Sequence, residues 1–158
     1  MPRRPRGIAD TPMQRRYDAV VAEMLERYGL VVRKWRSSLS GIAIHRIYRD
    51  GREERLLESP YPTSPLRMSI FLHEVGHHAI GLGIHRPRCL EEHLAWEWSV
   101  ARMRELGFAT EGTVARRVRR SMEYEVSKSL RRGLRRLPAV VMPYAPESVR
   151  AAADALAA

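Results

Sequence analysis

Phe71-Leu72-His73-Glu74-Val75-Gly76-His77-His78 sets two histidines four residues apart, with a glutamate directly after the first. Four residues advance a helix by about one turn, so the His73 and His77 imidazoles leave one face and can share a tetrahedral Zn²⁺. Glu74, one step round, reaches a water on that ion as general base. The ion lowers the water's pKa towards ~7, and the carboxylate takes its proton during attack on a carbonyl. Composition alone produces such a pattern with a chance of about 2%. Context strengthens it: five of the six histidines fall between positions 73 and 93, and Leu66 and Ile70 share the face of His73 and His77. The alternative reading is a buried helix whose histidines are satisfied within the core.

A catalytic zinc of this kind takes a third protein ligand and keeps a fourth position open. His85 lies eight residues after His77, with Gly83 six after, so the metzincin spacing fails. Glu91, Glu92, His93 and Glu97 follow on the next helix. Glu91 and Glu92 diverge by ~100° of helix rotation, and Glu97 sits about 140° from Glu92, so one helix aims only one of them at the ion. Cys89, three residues before Glu92, would duplicate its face and reads as core. Spacing leaves the choice open.

Arg67-Met-Ser-Ile-Phe-Leu-His73-Glu74-Val-Gly-His77, followed by Glu92-His-Leu-Ala95, resembles the gluzincin zinc peptidases. The nearest likeness is to the ImmA/IrrE-like metallopeptidases of bacteria and mobile elements. The resemblance spans residues 65–105, about a quarter of the chain. It implies a zincin-like fold, His73, His77 and Glu92 as zinc ligands, Glu74 as general base, and Ala95 as the small residue that lets two helices approach. It further implies a regulatory protease acting on a protein or peptide, with an extended substrate pairing along the hairpin's second strand (52–58) where that strand forms a sheet edge. Gluzincins usually add a Tyr or His that stabilises the oxyanion; His78, His85, Tyr124 and Tyr144 are the candidates. Two positions depart from the pattern: Trp96 follows Ala95 where Asp or Asn is common, and Ala101-Arg102-Met103 stands where Leu-Met-Pro often does.

The elements that must position these groups are readable. Asp10/Thr11 and Pro12 start a helix carrying Tyr17, Val20, Val21, Met24, Leu25 and Tyr28 at helical spacing, closed by Gly29. Two or three antiparallel strands follow, with a hairpin at Asp50-Gly51. Ser64-Pro65 opens the helix that bears His73 and His77, up to Ile80. A second helix runs from Arg88 to Leu106 and carries the ligand candidates, with Trp96, Trp98, Val100 and Met103 as its packing residues. A third, Thr113–Leu137, has apolar residues every four positions, and a short last helix covers 146–157. The order predicts an α+β fold. Residues 1–10 read as a flexible basic tail and 11–158 as one domain.

Composition bounds the partners. Hydrophobic residues make up 44% of the 158, enough to exclude wholesale disorder. No apolar run is long enough to span a bilayer, and the charged N-terminus lacks the apolar core of a secretory signal. One cysteine, Cys89, permits no internal disulfide and fits a reducing cytoplasm. The net charge of +10 rests on arginine, Lys34 and Lys128 being the only lysines. Eight Arg and one Lys between Arg116 and Arg136 suggest a second reading, a nucleic-acid-associated protein with a structural or degenerate zinc site. Arg116, Arg117, Arg119 and Arg120 would then hold phosphates. A solvated helix face is the simpler account. Around 73–97 the charge is acidic or balanced, with Arg86 and Arg88 against Glu74, Glu91, Glu92 and Glu97.

Overall fold

The computed structural model describes residues 3–158. Its first helix, α1 (Pro12–Tyr28), starts where the Thr11 side chain accepts a hydrogen bond from the Gln14 amide and ends at Gly29, whose φ of 61° is left-handed. Its apolar stripe, Tyr17, Val20, Val21, Met24 and Leu25, is buried. Ahead of it, the Arg4 guanidinium contacts the Asp10 and Asp18 carboxylates at 3.0 and 2.8 Å, and Ile8 packs against the core. The part of the 1–10 segment within the described residues is therefore attached to the domain.

Three strands follow: β1 (Leu30–Arg36), β2 (Ile42–Ile47) and β3 (Glu53–Pro60). The Asp50-Gly51 hairpin is present between β2 and β3, with the Gly51 amide donating to the Tyr48 carbonyl at 3.0 Å. The expected antiparallel sheet is corrected to a mixed one, since β1 runs parallel to β3 and the order is β1-β3-β2. The tight hairpin folds β3 back into the gap between β1 and β2. The cause is apolarity: Leu56–Pro60 is wholly buried, while Val31, Ile42 and Ile47 remain exposed on the flanking strands. With β3 central, the expectation that a substrate pairs with it fails. β2 is the edge on one side and β1 on the other.

Helix α2 (Pro65–Ile80) is capped by the Ser64 side chain, which accepts from the Arg67 amide, and every residue from Met68 to His78 is buried. It contacts β2, β3, α1, α3 (Arg88–Glu105) and α4 (Thr113–Arg131). One core cluster gathers α1, the sheet and the Phe71/Leu72/Val75 side of α2; a second gathers Ile70, Cys89, Trp96, Met122 and Val126. α4 stops six residues short of the predicted Leu137. Gly133, at φ 97°, donates to the Leu130 carbonyl and Leu134 to that of Ser129, a pair of bonds that ends a helix in a left-handed turn. Leu134 and Leu137 still pack on the second cluster from beyond that turn. A 3-10 helix, Ala139–Tyr144, and α5 (Glu147–Ala157) complete the chain. Among the described residues no helix is long and apolar enough to cross a membrane.

Candidate metal centre

α2 and α3 meet closely because neither has bulk at the contact. A Cβ on Gly76 would stand 2.9 Å from the Ala95 carbonyl oxygen and 3.2 Å from the Trp98 ring. That approach sets Glu92 of α3 within reach of the histidines of α2. The His73 and His77 Nε2 atoms lie 3.2 Å apart. One Glu92 oxygen is 3.1 Å from His73 Nε2, and the other is 3.4 Å from His77 Nε2. Ligands held ~2.0–2.1 Å from a tetrahedral ion stand about 3.3 Å from one another. One ligand atom from each of the three residues lies within 4.8 Å of the others, close enough to share an ion, and the three are buried.

The surroundings hold this arrangement. Trp96 stacks on His73, ring centroids 4.0 Å apart and planes 21° from parallel. Arg88, one turn before Glu92, bonds its carboxylate at 2.6 Å and also bonds Glu91. Burial pushes the Glu92 carboxyl up, but hydrogen bonds from His73 and His77 outweigh it and hold the group well below the usual carboxylate range. Burial lowers His73 to about 4 against the pull of Glu92. For His77 burial also lowers, yet the Glu92 hydrogen bond and carboxylate charges win and raise it. An ionised Glu92 and a neutral His73 are the forms a cation requires of these ligands. Among the described residues, His73 Nδ1 and His77 Nδ1 are buried without a hydrogen-bond partner, so the polar atoms that are engaged face the cluster.

Glu74 stands beside the cluster, buried, with burial pushing its carboxyl up to about 7. It fits beneath Gly41 only because that residue has no side chain, since a Cβ there would lie 2.5 Å from Glu74 Oε1. The Gly41 loop is tied down by Arg36, which bonds Ser40 Oγ at 3.0 Å and Glu58 at 2.8 Å. The Arg36 hydrogen bond holds Glu58 below the usual carboxylate range, against the smaller opposing push of burial.

The other candidates lie elsewhere. Glu91 is buried but accepts from the Gly83 amide at 2.7 Å, and its nearer oxygen is 3.9 Å from His77 Nδ1. Glu97 is exposed and 3.8 Å from His93, and Cys89 is enclosed in the second core cluster. Of the oxyanion candidates, His78 donates to the Leu56 carbonyl and His85 to that of Ile80. Tyr144 faces His93 and Arg119. Of these four, only Tyr124 lines the cavity over the His73, His77 and Glu92 cluster.

That cavity, about 600 Å³, runs from Gly41 and β2 across His73, His77 and Trp96 to α4. Its α4 wall comprises Arg117, Arg120, Ser121 and Tyr124, a stripe at positions i, i+3, i+4 and i+7, with the Glu125 carboxylate beside it. The arginines read from sequence as one phosphate-binding group therefore divide: Arg117 and Arg120 line the cavity, whereas Arg119 pairs with Glu123 at 3.1 Å. Sequence reasoning missed the roles of Gly41, Arg88, Arg117 and Arg120. Arg88 and the α4 stripe were findable from helical spacing, but Gly41 had no local signal. No protein-family model, curated protein or solved structure matches the chain.

Proposed function

We propose that the chain is a zinc-dependent metallopeptidase of gluzincin type with a zincin-like fold, acting on a protein or peptide in the cytoplasm. One observation carries this reading: two imidazole nitrogens and a carboxylate converge at 3.1–3.4 Å beside Glu74, on the floor of an open cavity. Two histidines and one carboxylate form a three-ligand set suited to Zn²⁺ with a position left for substrate. A divalent ion held there supplies a Lewis acid for a carbonyl oxygen and lowers the pKa of water towards ~7.

The chain's own residues do the rest. Glu74 accepts the proton of the attacking water at its carboxylate and returns it to the leaving amine. Gly41 fixes that carboxylate from above, and Arg88 holds Glu92 in its ligating orientation. β2 is an edge strand whose residues Ile42 and Ala43 line the cavity, so an extended peptide can add to the sheet there and bring a backbone carbonyl over the cluster.

The test is metal analysis joined to hydrolysis of a fluorescence-quenched peptide library. The purified chain retains about one zinc, and His73→Ala or Glu92→Ala loses it. Glu74→Gln keeps the metal and loses cleavage by about 10²–10⁴-fold. A chain without stoichiometric metal, or undiminished cleavage by Glu74→Gln, refutes the proposal.

A further inference from the structure

Three arginines line the cavity, and they differ in what they touch. Arg88 is neutralised by Glu91 and Glu92. Arg117 and Arg120, one turn apart on α4, have no carboxylate within 4 Å among the described residues. Arg117 is half-buried, and its one side-chain hydrogen bond is to Ser121 Oγ at 3.1 Å. Burial draws its pKa below the ordinary value, against the pull of Glu74 and with help from neighbouring Arg120. A half-desolvated guanidinium without a counter-ion is unfavourable unless something negative arrives to pair with it.

From these contacts we infer that Arg117 and Arg120, with Ser121 and Tyr124 alongside, form an anion subsite that takes a carboxylate of the substrate. The inference rests on the peptidase reading and names its substrate class. A carboxylate suits the place better than a nucleic-acid backbone. Ile42, Ala43, Ile70 and Trp96 line the same cavity and suit peptide side chains, while Glu74, Glu92 and Glu125 would repel a run of phosphates. An extended chain on β2 also turns every second side chain to one face, which gives a single acidic residue a defined position. Two sources supply the same group, an internal Asp or Glu and the free C-terminus of a peptide. Both arginines donate in planar forks matched to a carboxylate.

The experiment reads binding as well as turnover. Zinc-loaded Glu74→Gln protein, full length, is incubated with random octapeptides prepared both as C-terminal amides and with free C-termini, and the retained peptides are sequenced by mass spectrometry. Asp and Glu are expected to be enriched about tenfold or more over Asn and Gln, the scale of one hydrogen bond to a charged group. If the terminus is the ligand, retention is instead confined to peptides with a free carboxylate. Arg117→Gln/Arg120→Gln abolishes the preference, Arg117→Lys/Arg120→Lys keeps it, and Arg120→Glu enriches Lys and Arg instead. That last gain cannot come from misfolding.

The inference is overturned if neither acidic peptides nor peptides with a free C-terminus are enriched, or if the double Gln variant selects them as before. It is also overturned if that variant slows cleavage of acidic and neutral peptides by one common factor, or if a single-stranded oligonucleotide displaces the peptides. Acidic selection without any cleavage by the unaltered chain keeps the subsite and removes the peptidase reading. Cleavage without selection for either an acidic residue or a free C-terminus does the reverse.

Discussion

Gly41→Ala isolates the proposed role of Glu74 without touching a charged group. A Cβ at position 41 would stand 2.5 Å from Glu74 Oε1, 2.6 Å from its Cγ and 2.8 Å from its Cδ, whereas ordinary contact begins at 3.4 Å. The backbone there is not left-handed, so alanine brings no conformational strain of its own. Arg36 anchors the loop through Ser40, so the Glu74 side chain is what yields. The carboxylate must retreat by about 1 Å, a displacement that costs on the order of 10²-fold when it befalls a reacting group. Overpacking of this size costs about 1–3 kcal/mol, which lowers Tm by a few degrees up to about 10 °C in a domain of this length. The assay compares kcat/KM on a quenched peptide, bound zinc and Tm for the two proteins. Zinc should stay near one per chain while kcat/KM falls about a hundredfold. In a Glu74→Gln background the same alanine should add nothing, because its whole effect passes through Glu74. Wild-type kcat/KM in Gly41→Ala, or a further fall in the Gln background, would refute the reasoning.

Two other perturbations test separate parts of the fold. Arg88→Ala frees one oxygen of Glu92 and should weaken zinc binding about 10–100-fold in a chelator competition, the usual effect of losing a partner to a ligand. Metal-free Tm should also fall, because the buried Glu91 and Glu92 carboxylates lose their cationic partner. Tyr61 donates its hydroxyl to Asp18 at 2.7 Å, and burial, then Asp18, raises its phenol pKa. The unfolded chain loses that proton near pH ~10 while the folded one keeps it, so stability is whole below pH ~10 and declines above it. Tyr61→Phe should flatten the alkaline fall of the urea midpoint between pH 9 and 11; an unchanged slope would remove Tyr61 as its source.

Local signals were legible wherever one residue decides a boundary. Thr11-Pro12 and Ser64-Pro65 start helices, and Gly29 ends one, because a cap needs only a side-chain oxygen or a left-handed φ. The His73/His77 pair was legible for the same reason, four residues being one turn. Strand order was not. Alternation tells which residues face the core, but not that β3 would fold into the gap beside β1 and run parallel to it. The end of α4 was hidden because Leu134 and Leu137 continue the apolar spacing past Gly133, although they pack from outside the helix. The carboxylate that joins the two histidines sits between these cases. Helical rotation permits only one of Glu91, Glu92 and Glu97 to face the histidines, but the Gly76–Ala95 approach decides which, and that contact joins residues nineteen positions apart.

The net charge of +10 acquires a direction once the arginines are sorted by what they touch. Arg33 and Arg36 spend their charge on Glu58, Arg88 on Glu91 and Glu92, and Arg119 on Glu123. Pairs of that kind cancel locally and leave little field beyond a Debye length of ~8–10 Å. Arg117, half-buried, and Arg120, exposed, are not cancelled, and both line the cavity over the His73, His77 and Glu92 cluster. A divalent ion held by one carboxylate and two neutral imidazoles adds a further net positive charge a few ångströms away. Low-dielectric walls focus such a field into the cleft, so anionic segments are drawn in and lysine- or arginine-rich ones are turned away before any contact forms. The selectivity inferred for Arg117 and Arg120 should therefore weaken as ionic strength rises, most of all in its on-rate.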